Sequence, residues 1–203
     1  MMVRRRLILA SGSAARRQML TNAGLDFEVM PAQLDEDALR DRLMSLMPPP
    51  SHDAVAAVLA EAKARSVANS DPAALVIGSD QVLSTGDTIF AKPGSRQGAR
   101  ATLQALRGRT HWLHSAAVLY GGGEPVWSTV STAALRVREF SDAALDAYLD
   151  TAGADIYGCV GAYQIEGAGV RLFDAIEGDH FTIMGMPLLP LLAELRRLGE
   201  IET

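Results

Sequence analysis

The stretch from Leu7 to Leu20, LILASGSAARRQML, decides how the chain is read. Four apolar residues, Leu7 to Ala10, suit a short buried strand, Ser11-Gly12-Ser13 breaks it, and an apolar spacing of helical type then resumes. The segment reads as strand, tight polar loop, helix. Ser13 is placed to cap the helix, which puts Arg16 and Arg17 in its first turn, where the positive end of the helix dipole disfavours a cation by a few tenths of a kcal/mol. Either the serine merely caps and the arginines are solvated, or the backbone N–H groups, two hydroxyls and a guanidinium form a cradle for phosphate. The loop lacks the glycine spacing of a dinucleotide or Walker fingerprint, so the pattern alone favours the simpler reading.

Working outward, Gly24 stops the helix and Phe27 to Met30 alternates as a second strand, a strand-helix-strand opening that indicates an α/β protein. Asp35, Glu36 and Asp37 open a helical segment to about Met47, an acidic start that is ordinarily a solvated one. Pro48-Pro49-Pro50 interrupts it, and Ser51 caps a second helix, Ala54 to Ser70. Lys63 lies on or beside the apolar stripe of that helix, where a lysine either snorkels outward or points into a site. Ala74 to Gly78 is the most strand-like run, apolar on both faces as in a central parallel strand. Asp80 follows it, at the carboxyl end where open α/β sheets place ligand chemistry.

Thr85-Gly86-Asp87 turns the chain into a strand, Ile89 to Ala91, so that Lys92 is expected to face Asp80 across a hairpin. Ser95 caps a helix from Arg96 to Arg107, and Thr110 to Tyr120 and Val126 to Val137 form long antiparallel strands around Gly121-Gly122-Gly123. Ser141 or Asp142 caps a helix to about Asp150. The glycine-rich run Gly153 to Gly169 then suggests a backbone approaching a nucleotide base or its own sheet. Val170 to Phe173 and Phe181 to Met184 read as short strands, and Met186-Pro187 opens a last amphipathic helix, Leu188 to Leu198.

With 203 residues, 48% hydrophobic and 21% charged, the chain has the composition of a soluble globular protein with one good-sized core. We expect residues 1–203 to form a single domain. A net charge of -5 argues against a nucleic-acid coat, and Arg4-Arg5-Arg6 is too short to be a nucleic-acid arm. Cys159 alone cannot make an intramolecular disulfide or a multi-cysteine metal site, and the apolar run after the basic N-terminus is far short of a signal core or membrane span. A cytoplasmic protein without membrane or nucleic-acid partners is expected, and a homodimer is left open. The four histidines, His52, His111, His114 and His180, have no metal-ligand spacing.

The order of motifs resembles the Maf family of nucleoside triphosphate pyrophosphatases: LASGSAARRQML, LDE at Leu34 to Glu36, AEAKA around Lys63, GSDQV at Gly78 to Val82, AKP at Ala91 to Pro93, GAYQIEG at Gly161 to Gly167 and MGMPL at Met184 to Leu188. The resemblance covers nearly the whole chain. It implies a mixed twisted sheet with flanking helices, two lobes around a deep cleft as in inosine triphosphate pyrophosphatases, and hydrolysis of a nucleoside triphosphate to monophosphate and pyrophosphate. In the roles it implies, Ser11, Ser13 and Arg16 hold phosphate and Lys63 and Lys92 neutralise the triphosphate. Asp80 activates water, and Glu36 with Asp80 binds a divalent cation, Mg2+ or Mn2+.

Asp80-Gln81, Glu166 and Cys159 are similar to the family branch acting on 7-methyl-GTP, with Gln81 and Glu166 at the base. A carboxylate can accept from both the N1–H and the 2-amino group of guanine. Ala15 departs from the large side chain that both branches carry there. The competing expectations are a nucleotide-binding regulator of septum formation without turnover and a house-cleaning pyrophosphatase of broad specificity.

Overall fold

The computed structural model describes residues 4–202. In chain order it has β1 (Leu7–Leu9), α1 (Ala14–Asn22), β2 (Glu28–Val29), α2 (Glu36–Met44), α3 (His52–Ala68), β3 (Leu75–Thr85) and β4 (Thr88–Phe90). Then follow α4 (Arg96–Leu106), β5 (Thr110–Gly121), β6 (Glu124–Val137), α5 (Asp142–Ala152), β7 (Phe173–Glu177), α6 (His180–Ile183) and α7 (Leu188–Arg197). Two short 3-10 turns, Asp155–Gly158 and Ala168–Leu172, lie between α5 and β7. The strands make a seven-stranded mixed sheet in the order β2-β1-β3-β5-β6-β7, with β4 also paired to β3. The mixed α/β architecture expected from the sequence is therefore present.

The chain divides into two compact units. Among the described residues the first comprises 4–81, 115–131 and 180–202, and the second 82–114 and 132–179.

In the first unit β1 pairs in parallel with both β2 and β3, with Leu7 opposite Leu75 and Leu9 opposite Ile77. The two-residue period of a strand sorts its side chains between two apolar layers. Leu7, Leu9, Leu75 and Ile77 pack with Met19 and Leu20 of α1 and Leu188, Leu191 and Leu195 of α7. Ile8 and Val76 point the other way, onto Ala64, Val67 and Ala68 of α3. Each fully buried leucine or isoleucine contributes about 1.5–3 kcal/mol, so these layers fix which face of β3 every later residue takes. Buried Glu200 accepts from the Arg5 backbone N–H at 2.8 Å and from its guanidinium at 2.5 Å, tying the two ends of this unit together.

In the second unit the hairpin of β3 and β4 is closed by Gly86, at φ 54°, and β7 pairs antiparallel with β6. Arg100 bonds Asp146 at 3.0 Å and Arg107 bonds Asp142 at 2.5 Å between α4 and α5.

Serines 13, 51, 95 and 141 cap α1, α3, α4 and α5, each accepting a backbone N–H three residues on. Two expected strands are corrected. Val170 to Phe173 is mostly the second 3-10 turn, and the strand comes after it, from Phe173 to Glu177. Its residues are mostly exposed, so an edge strand here carries no apolar run to announce it. Phe181 to Met184 is helical in α6 despite strand-forming side chains, because side chains from β3 and β5 hold its carbonyls. The helix of α2 also ends at Met44, earlier than expected. Among the described residues no helix is long and apolar enough to cross a membrane.

Candidate active site

Asp80 lies inside β3, not past its end as expected, because Ser79 to Thr85 continue the strand. Alternation puts Gly78 and Asp80 on the α3 face with Val76. At Gly78 the helix and strand are in direct backbone contact: a Cβ there would stand 2.2 Å from the Ala60 carbonyl oxygen and 2.7 Å from Ala64 Cβ. Only glycine permits that approach. It brings Lys63 against Asp80, Nζ donating to Oδ1 at 2.5 Å with both side chains buried. Lys63 therefore does not snorkel. Its ammonium also meets Glu36 Oε2 at 2.9 Å, at the start of α2, where Asp35 supplies the cap. Glu36 is half-exposed, so the acidic helix start is only partly solvated. Removing one member of a buried ion pair costs about 3–5 kcal/mol, which ties Lys63 and Asp80 to each other as well as to any substrate.

The loop after β1 closes the same cluster. Ser13 Oγ caps α1 by accepting from Arg16 N at 3.4 Å, and its own backbone N–H donates to Ser11 Oγ at 3.3 Å. Arg17 is exposed, but Arg16 is buried; Nη1 donates to Ser11 Oγ at 3.2 Å and Nε to the Gly185 carbonyl at 2.8 Å. Burial pulls the Arg16 guanidinium below its ordinary pKa, and the charges of Asp80 and Glu36 push it back up. A guanidinium buried at the positive end of a helix is the arrangement that an incoming anion relieves.

Ser79 and Gln81 take the opposite face of β3 from Asp80. Ser79 Oγ donates to the Gly185 carbonyl at 3.1 Å. Gln81 Nε2 donates to the carbonyls of Thr182 and Ile183, both at 3.0 Å, and to Ser115 Oγ at 2.9 Å. Carbonyls only accept, so this network settles the amide orientation and leaves Gln81 Oε1 as the group able to accept from a ligand.

The remaining expected residues belong to the second unit. The hairpin ladder stops at Leu83 opposite Phe90, so strand pairing reaches neither Asp80 nor Lys92. Lys92 is exposed, and its charge acts on Cys159 together with that of Glu166. Burial, then Glu166, push the Cys159 thiol up, against smaller downward effects of a hydrogen bond with Gln164 and of Lys92. Glu166 sits in a tight turn closed by Gly167 N–H to the Gln164 carbonyl at 3.2 Å. Just before it, Tyr163 Oη and His111 Nε2 share a buried hydrogen bond of 2.7 Å.

The profile of the Maf-like protein family matches residues 6–198. The chain belongs to the Maf family. It is 52% identical over 197 residues to a 7-methyl-GTP pyrophosphatase of Mesorhizobium japonicum, covering 97% of this chain and 98% of the relative. It is 48% identical to nucleoside triphosphate pyrophosphatase 1 of a Jannaschia species, with the same coverage. It is 50% identical to a nucleoside triphosphate pyrophosphatase of Gluconobacter oxydans, over 95% of this chain and 94% of that one.

In this Maf protein the first unit thus gathers Ser11, Arg16, Glu36, Lys63 and Asp80, and the second gathers Lys92, Cys159 and Glu166. Glu36 and Asp80 both bond the Lys63 ammonium, which lies between their carboxylates. Hard oxygen donors, two in number, suit Mg2+, which ordinarily takes one or two carboxylates and completes its shell with phosphate and water. Among the described residues no group of three or more His, Cys, Asp or Glu side chains could hold a metal ion.

Sequence reasoning missed Ser79, Ser115 and the Gly185 carbonyl, which position Arg16 and Gln81 without themselves being ionisable. It also missed the His111–Tyr163 pair. MGMPL was the only signal near Gly185.

Proposed function

We propose that this Maf protein is a nucleoside triphosphate pyrophosphatase that cleaves the α–β phosphate bond of a guanine nucleotide, with 7-methyl-GTP as the preferred form. The single observation carrying the reading is the buried Lys63–Asp80 pair of the first unit, with half-exposed Glu36 on the same ammonium and Arg16 beside it: two carboxylates and two cations at a loop that opens a helix. Ser11, Ser13 and Arg16 receive the phosphates, and Lys63 and Lys92 offset their charge. Asp80 takes the proton from a water that attacks the α-phosphorus; the bond from that phosphorus to the bridging oxygen breaks, and pyrophosphate leaves. Glu36 and Asp80 would hold a magnesium or manganese ion, which supplies charge neutralisation and acidifies bound water.

The two units are interleaved along the chain, so we treat residues 1–203 as one functional domain. A cytoplasmic house-cleaning role, without membrane or nucleic-acid partners, belongs to the same reading. A regulator that only binds nucleotide has no use for a carboxylate beside a triphosphate, because it repels the ligand.

At the base, Glu166 accepts from the N1–H and 2-amino group of guanine, and Gln81 offers Oε1 as a further acceptor. Uracil or thymine offers one donor, N3–H, between two carbonyl acceptors, and so leaves some of these acceptors unpaired, at about 1–3 kcal/mol for each unpaired group. The test compares kcat/KM for 7-methyl-GTP, GTP, UTP and dTTP on the wild type and on Glu166→Gln. Guanine forms should lead in the wild type, with a narrower gap in the variant; a wild-type preference for UTP or dTTP contradicts the reading.

A further inference from the structure

The turn that carries Glu166 is held by an unusual set of neutral contacts, all within the second unit. Ala162 is at φ 57°, the one left-handed non-glycine among the described residues, a conformation that costs energy and persists only where its surroundings enforce it. Three bonds do so here. Tyr148 Oη donates to the Ala162 carbonyl at 3.0 Å, Ala162 N–H donates to the Cys159 carbonyl at 2.9 Å, and Tyr163 Oη meets His111 Nε2 on β5 at 2.7 Å. The Tyr163 ring stands edge-on to Phe173 with centroids 4.8 Å apart. Glycines close round it: a Cβ at Gly161 would lie 2.2 Å from Tyr163 Cε1, and one at Gly169 would lie 2.4 Å from the Gln164 carbonyl.

His111 is fully buried, yet its Nδ1 has no hydrogen-bond partner among the described residues. An apolar pair would fill this space without that deficit. What the histidine supplies instead is one directional bond to the residue next to the Gln164–Gly167 turn. Burial holds the imidazole neutral down to about pH 4 and pushes the Tyr163 hydroxyl well up, so the bond keeps the same protonation across the physiological range.

We propose that His111 and Tyr163 are a positioning pair that fixes the strained Cys159–Gly169 loop so that the Glu166 carboxylate is presented to the base of the substrate. The proposal rests on the base-reading role of Glu166 given above.

Tyr163→Phe tests it with the ring retained, while His111→Leu removes the partner and His111→Gln keeps a hydrogen-bonding group near the place of Nε2. One hydrogen bond of this kind corresponds to roughly a three- to tenfold effect. KM for the guanine nucleotide should rise by about that factor in Tyr163→Phe and His111→Leu, more than kcat falls, with partial recovery in His111→Gln. Amide hydrogen exchange should quicken at residues 164–167 and stay unchanged in β1 and the first half of β3.

Exchange that quickens throughout the protein, or not at all, reduces the pair to core packing and overturns the proposal. An unchanged KM in Tyr163→Phe beside a raised KM in Glu166→Gln also overturns it, and leaves the Glu166 reading standing. An unchanged KM in Glu166→Gln overturns that reading and the positioning proposal with it.

Discussion

The two units place their working groups by opposite means. In the first, Arg16, Lys63 and Asp80 are buried together with half-exposed Glu36 at their edge, and opposite charges face one another across ion pairs. In the second, the Glu166 turn is held by tyrosine hydroxyls, a neutral histidine and tight glycine packing. On the function proposed above, the difference follows from the two ends of a nucleotide. A triphosphate carries charge that must be met by charge, and a cluster whose ions already pair avoids leaving them bare before substrate arrives. A guanine base is recognised by the direction of its hydrogen-bonding edge, so its reader needs rigidity.

The largest effect should come from breaking the charged cluster at its centre. Asp80→Asn keeps the shape and removes the proton acceptor, so kcat should fall by at least about a hundredfold while nucleotide binding survives. Steady-state turnover beside equilibrium binding checks both halves. Next, Gly78→Ala would drive a methyl into the Ala60 carbonyl and force α3 away from β3. Overpacking of this kind costs about 1–3 kcal/mol, and the lost Lys63–Asp80 pairing should lower turnover beyond what the melting temperature accounts for. Arg16→Ala should raise KM for triphosphate by roughly ten- to a hundredfold, the worth of charge-assisted hydrogen bonds, with a folded protein by circular dichroism.

The smallest effect on turnover at neutral pH belongs to the neutral unit, and its pH dependence has the same sign as that of a carboxylate lost to acid: stability falls as pH falls. The His111 pKa is depressed from the ordinary 6.5 to about 4 by burial, so between those values the unfolded chain binds the extra proton. The stability is therefore complete above pH 6.5 and is lost as pH falls towards 4, by up to about 3 kcal/mol. Melting temperatures across this window should slope in the wild type and flatten in His111→Gln.

What could be read in advance was local. The strand-loop-helix of residues 7–22, the serine caps and the glycine stops follow from chain-neighbour physics and appear where expected. Lys63 was ambiguous because its fate depends on whether α3 lies close enough to β3, and that is decided by Gly78, a residue with no side chain to notice. Asp80 was placed past a strand end because polar Ser79 and Gln81 look like a loop. They are strand residues whose hydroxyl and amide are satisfied by the carbonyls of Gly185, Thr182 and Ile183, far away in the chain. His111 carries no metal-ligand spacing, and its hydrogen-bond partner Tyr163 lies some fifty residues on, outside the reach of any spacing rule.

The account stands on α–β cleavage, and product analysis of the wild-type protein tests that most directly. Incubation with 7-methyl-GTP and Mg2+ should yield 7-methyl-GMP and pyrophosphate in equal amounts, with no orthophosphate until a separate pyrophosphatase is added. Release of orthophosphate and the nucleoside diphosphate, or tight binding of every nucleotide tried with no product at all, would contradict it.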